Sequence, residues 1–138
     1  MRIVLDTNVV ISGLIWNGIP GKILTAARSR RAEIFTCIEL LNELSRVLSR
    51  KKFSMKLVAL GITAQTILSD YMSLTISVNL VTLQAPVSRD PNDDIVLACA
   101  LTAQAHAIVS GDKDLLTLHH YQGVQIWTPK EALSRISP

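Results

Sequence analysis

Three stretches of the chain set carboxylates directly against apolar runs. Ile3-Val4-Leu5 is β-branched and apolar, then breaks into Asp6, Thr7 and Asn8: an acid, a hydroxyl and an amide. Asp90-Pro91-Asn92-Asp93-Asp94 opens a long apolar segment, and Ala107-Ile108-Val109 runs into Ser110, Gly111, Asp112, Lys113 and Asp114. Glu43, in an amphipathic stretch, is a fourth candidate acid. Two carboxylates about 5 Å apart repel by roughly 3 kcal/mol at an effective dielectric near 20. A fold that gathers several therefore needs a cation among them. Hard divalent ions take oxygen ligands, and Mg²⁺ is commonly held by one or two carboxylates together with water and substrate phosphate. Such an ion lowers the pKa of bound water and screens a scissile phosphate. Convergence of Asp6, Glu43, Asp93 and Asp112 on one divalent ion is thus the expectation.

Other catalytic chemistry finds little material. Of three histidines, His106 begins a strand, while His119 and His120 fall in a polar turn. No Ser–His–Asp or Cys–His arrangement follows from these positions. Cys37 and Cys99 lie in apolar surroundings without metal-ligand spacing, so a zinc site is not expected. They read as buried free thiols in a reducing cytosol.

Something must carry the acids to one place. The 138 residues suffice for one domain, 1–138, with a sizeable core. Apolar residues make up 49% and aromatics 4%, so aliphatic side chains must build that core. Helices packed on a buried parallel sheet suit this balance. Neither a membrane span nor a secretory signal is expected, and the cytoplasm is the predicted location.

Along the chain, strand and helix patterns alternate. Residues 3–5, 33–36, 76–82, 107–110 and 124–127 read as strands, with 33–36 either an edge or a second strand. Residues 9–15 read as a short helix, 16–21 as a turn and 22–29 as a helix. Thr36 with Glu39 matches a capping box, opening a helix with Leu40, Leu41, Leu44, Val47 and Leu48 on its apolar stripe. Glu43 falls at the edge of that stripe, and Arg46 or Arg50 could pair with it instead of a metal doing so. Residues 53–74 read as helical with a break near Leu60-Gly61-Ile62-Thr63. Asp90 and Pro91 start a helix that is apolar almost all round, and therefore buried. Asp112 could simply cap a short helix through Leu118. Thr128, Pro129 and Glu131 open a closing helix. The rhythm predicts a three-layer α/β/α sandwich around a mostly parallel sheet of about five strands.

Charge is mildly basic overall, with a net charge of +3. If four acids share a pocket, seven remain against 14 Lys and Arg. Arg28, Arg30 and Arg31 form one basic run, and Arg46, Arg50, Lys51, Lys52 and Lys56 a second. Such rims either hold a polyanion around an acidic centre or are solvated helix faces.

Four motifs in order resemble a PIN domain, the small metal-dependent nuclease fold of VapC-type toxins. They are Leu5-Asp6-Thr7-Asn8; Glu43-Leu44; Asp90-Pro91-Asn92-Asp93-Asp94; and Ile108-Val109-Ser110-Gly111-Asp112-Lys113-Asp114-Leu115. The resemblance spans essentially the whole chain. It implies a negatively charged pocket binding Mg²⁺ or Mn²⁺ and hydrolysis of RNA, usually endonucleolytic. By position it makes Asp6, Glu43, Asp93 and Asp112 the acidic quartet, with Asp6, Asp93 and Asp112 on the metal. Glu43 then completes the site or orients the attacking water. Asn8 and Ser110 match supporting polar residues, and Asp94 and Asp114 are close substitutes within their motifs. Arg46, Arg50 and Lys113 would position the RNA backbone. The resemblance further implies a type II toxin–antitoxin system, with an antitoxin partner and a homodimer. Two other readings stay open. One is a non-catalytic module binding RNA or a partner; the other is a phosphatase of haloacid-dehalogenase type, in which Asp6 attacks phosphate. That second motif wants an acid at position 8, where Asn8 stands.

Overall fold

The computed structural model describes residues 1–80, 87 and 90–136. Six strands form one sheet in the order β3 (Thr75–Ser77), β2 (Glu33–Thr36), β1 (Arg2–Leu5), β4 (Ala107–Val109), β6 (Val124–Trp127), β5 (His120–Tyr121). All pairings are parallel except β5 with β6. Among the described residues, eight α-helices accompany the strands: α1 (Thr7–Ile11), α2 (Gly18–Arg28), α3 (Ile38–Leu48), α4 (Lys51–Leu60), α5 (Ala64–Leu74), α6 (Pro91–Ala103), α7 (Lys113–Leu116) and α8 (Pro129–Ile136). The architecture is the expected α/β sandwich.

Side chains alternate across the pleat, so the central strands β1, β2, β4 and β6 each feed two cores. Ile3, Leu5, Ile34, Val109 and Trp127 face one, with residues of α1, α2, α5 and α8. Val4, Phe35, Ile108 and Ile126 face the other, covered chiefly by α6. Helix α3 and its N-cap serve both: Leu44, Val47 and Leu48 enter the first core, Leu40 and the N-cap residue Cys37 the second. Both cysteines are buried and free. Their thiols hydrogen-bond to each other, which holds Cys37 below and Cys99 above the ordinary thiol range.

Sequence and structure part at several edges. The sheet has six strands rather than about five. The extra one, β5, is two residues long and turns into β6 through Gln122 and Gly123, both at positive φ (47° and 85°). A tight hairpin turn of that sort needs no apolar run to announce it. Strand β2 is interior, between β3 and β1, and β3 covers only Thr75–Ser77; of the predicted 76–82 segment, positions 81 and 82 lie outside the described residues. Thr36 does not open α3. It ends β2, buried and in register with Ser77, while extended Cys37 takes the N-cap position without a side-chain bond. Sheet pairing claimed the residue before capping could. The predicted helix 9–15 is α1 from Thr7, prolonged by a π-helical segment, Ser12–Trp16. Helix α2 starts at Gly18, where Asn17 at φ 64° ends the turn early. The two proline starts behave as expected. Asp90 caps α6, and Thr128 and Glu131 satisfy each other's amides at α8.

Candidate active site

Strand order reverses between β1 and β4: the chain steps outward to β2 and β3 on one side, and on the other passes to the edge strand β5 and turns back to β6. At such a switch point the carboxyl ends of two neighbouring strands open a crevice with no crossover over it. Asp6 follows β1 and Asp112 follows β4 after Ser110 and Gly111. A pocket of about 180 Å³ lies here, lined by Asp6, Thr7, Asn8, Glu43, Val47, Arg50, Asp90, Asn92, Asp93 and Asp112. Acids from four separate parts of the chain therefore share one concavity.

Two hydroxyls organise them. Asp6 Oδ1 accepts the amide of Thr7 at 2.8 Å, and Asp6 Oδ2 accepts the Ser110 hydroxyl at 2.8 Å. The same Ser110 oxygen accepts the amide of Asp112 at 2.9 Å, so one fully buried hydroxyl bridges two acids. Thr7, also buried, donates its hydroxyl to Glu43 Oε2 at 2.6 Å. Burial pushes the Asp6 carboxyl above the usual aspartate range. The charges of Glu43 and Asp112 push the same way, against the hydrogen bonds from Ser110 and Thr7.

The remaining acids come from helix starts. Asp93, in the first turn of α6, is 3% exposed. Asp112 caps α7 through Asp114 N at 2.8 Å, so the bland capping role is real. Yet one carboxylate oxygen each from Asp93, Asp112 and Asp114 lies within 4.8 Å of the others. Three hard oxygen donors so close match the ligand chemistry of Mg²⁺ or Mn²⁺, and nothing in the set favours a softer metal. Asp6 and Glu43 line the same pocket outside that triad. Asp114, a substitute by motif, stands beside Asp112 rather than replacing it. Asp94 turns away, its carboxylate accepting the amide of Val87 at 3.1 and 3.3 Å.

Among the basic candidates, Arg50 lines the pocket. Arg46 and Lys113 are exposed, on α3 and at the start of α7. Neither Arg46 nor Arg50 forms an ion pair with Glu43 among the described residues; the pair present there, Arg28 with Asp70 at 2.7 Å, lies elsewhere. Asn8 lines the pocket as expected, and Ser110 sits behind it. Thr7, Asp90 and Asn92 join it unannounced. Thr7 stood inside the first motif, but a buried threonine after a strand leaves no periodic signature of its own.

A mostly parallel sheet with acids gathered at its switch point defines the class: an α/β domain with an acidic pocket at the carboxyl ends of its central strands. The family model of the PIN domain matches residues 2–114, and the chain belongs to that family. An uncharacterized protein of Methanocaldococcus jannaschii is 35% identical over 120 residues, covering 86% of this chain and 75% of that one. In fold, the chain is similar to the structure of VapBC2 from Rickettsia felis bound to a DNA fragment from its promoter. That likeness has a TM-score of 0.62 at 15% identity and covers 93% of this chain and 98% of the other. Among the described residues, no single helix is long and apolar enough to cross a membrane.

Proposed function

We propose that this PIN domain is a metal-dependent ribonuclease, cutting RNA internally by phosphodiester hydrolysis. The observation that carries the reading is the gathering of Asp6, Glu43, Asp93 and Asp112 around one pocket at the switch point. Asp93 and Asp112, with Asp114 and Asp6 beside them, would hold Mg²⁺ or Mn²⁺, which supplies an activated water and charge neutralisation at the scissile phosphate. Glu43 accepts the proton of the attacking water, held at one angle by the Thr7 hydroxyl. Asp6 stays in place through Ser110 and Thr7 N. Arg50 at the rim, with Arg46 and Lys113 further out, steadies the RNA backbone.

The wider role is that of a toxin in a type II toxin–antitoxin system, acting in the cytoplasm as a homodimer and restrained by an antitoxin. The fold shared with a chain of a VapBC complex supports this. So do the exposed Met55, Val58 and Leu60 on α4 and Met72 on α5, apolar groups that a partner can cover. The test is RNA cleavage with Mn²⁺ by wild type, Asp6→Asn and Asp93→Asn. Loss in both variants is expected. Wild-type activity in both would defeat the assignment, and tight RNA binding without cleavage by wild type would leave a binding module.

A further inference from the structure

Two rows of side chains leave the acidic pocket and meet. On α1 and the π-helical segment after it, Asn8, Ser12 and Trp16 are four residues apart, a spacing that keeps side chains on one side of a helix. Asn8 lines the pocket; Trp16, at the far end, is 51% exposed. From α3 into α4 the row is Glu43, Arg50 at the N-cap of α4, and Phe53. Glu43 and Arg50 line the pocket, and Phe53 follows one turn on, its amide donating to the Arg50 carbonyl at 2.9 Å. The rows close where Trp16 meets Phe53, ring centroids 5.9 Å apart and planes at 71°. Lys52 lies 5.1 Å from the centre of the Phe53 ring.

Aromatic residues are scarce here, and the other tryptophan, Trp127, is buried. Leaving half of an indole in water while an edge-to-face partner fixes its plane makes a flat apolar surface. Immediately before Phe53 in the chain stand Arg50, Lys51 and Lys52, all exposed, with Lys52 over the Phe53 ring. A ligand suited to both features carries planar faces and a regular run of negative charge. Single-stranded nucleic acid does, because its bases are free to stack on aromatic rings while cations track the backbone. A duplex keeps those faces covered, and an acidic peptide offers charge without them.

We propose that Trp16, oriented by Phe53, is a base-stacking platform for single-stranded RNA, with Lys52 and Arg50 on the adjoining phosphates, a few nucleotides from the acidic pocket. The platform rests on the RNA-cleaving reading of that pocket and extends it by assigning a base-binding surface outside the pocket.

The experiment uses short single-stranded oligoribonucleotides carrying 2-aminopurine at successive positions, in EDTA and low salt, so that binding is read without cleavage. Wild type quenches the probe at one or two adjacent positions. Trp16→Ala loses the quench and binds roughly five- to 150-fold more weakly, the range set by one stacked base; Trp16→Phe, which keeps a ring, falls between. The duplex form and a polyglutamate competitor bind at least several-fold more weakly than the single strand. Unquenched probes at every position with wild type, or equal quench and affinity in Trp16→Ala, overturn the platform. Cleavage with Mn²⁺ is run alongside. A wild type that cuts RNA while Trp16→Ala binds normally removes the platform alone. One that neither binds nor cuts removes both proposals.

Discussion

The hydroxyl of Thr7 donates to Glu43 Oε2 at 2.6 Å, across 36 positions of sequence. Thr7 N donates to Asp6 as well, so one residue sets two acids from different elements against each other. Thr7→Val keeps the β-branched shape and the amide but frees Glu43 to rotate. Loss of such an outer partner commonly costs ten- to a hundredfold in activity. The loss should fall on kcat for RNA cleavage, with KM nearly unchanged, and Thr7→Ser should recover most of it. A melting temperature that drops while kcat holds would give Thr7 a purely structural role.

Asp6 carries its own cost. Its carboxyl titrates higher in the fold than in the unfolded chain, chiefly through burial. Between those two values the folded state binds the extra proton, so this group's contribution to stability falls as pH rises from the ordinary aspartate range through the raised value. Asp6→Asn removes the buried charge. In EDTA at pH 7 it should melt at or above the wild-type temperature. Mn²⁺ at a hundred times its Kd should add about 2.7 kcal/mol to wild type and far less to the variant. Thermal melts with and without Mn²⁺ decide this, and a variant less stable than wild type in EDTA would contradict it.

Ser110 works in the opposite direction. Its hydrogen bond holds the Asp6 carboxyl down against burial. Ser110→Ala should therefore raise that pKa further and shift the acid limb of the pH–rate profile to higher pH. Removing a buried hydroxyl that serves both Asp6 and Asp112 should also cost about 1–3 kcal/mol of stability. An acid limb that stays in place or moves to lower pH would refute the bridging role.

The acids near α6 and α7 should sort by where their oxygens point. Asp93→Asn, Asp112→Asn and Asp114→Asn should each weaken Mn²⁺ binding by calorimetric titration. Asparagine caps helices about as well as aspartate, so Asp112→Asn keeps α7 while losing a ligand. Asp94→Asn should leave Mn²⁺ affinity within about twofold, because Asp94 is spent on the Val87 amide. Strong loss at Asp94 and none at Asp114 would invert the assignment.

The sequence by itself determined the class of fold, five of the strands, and the acids worth watching. These signals are local: β-branched runs ending in Asp6 or Ser110, an apolar stripe in α3, an Asp-Pro helix start. It also carried the four ordered motifs. Only the tertiary structure decided which neighbour takes which acid. Asp93 and Asp94 are adjacent in sequence, yet successive residues of a helix point about 100° apart, so one enters the pocket and the other reaches Val87. Thr36 looked like a cap until β3 paired beside it. Thr7 looked like part of a motif until α3 brought Glu43 across to it. Propensity and periodicity act over a few residues, whereas a hydrogen bond between positions 7 and 43, or 6 and 110, exists only once the sheet order has been chosen.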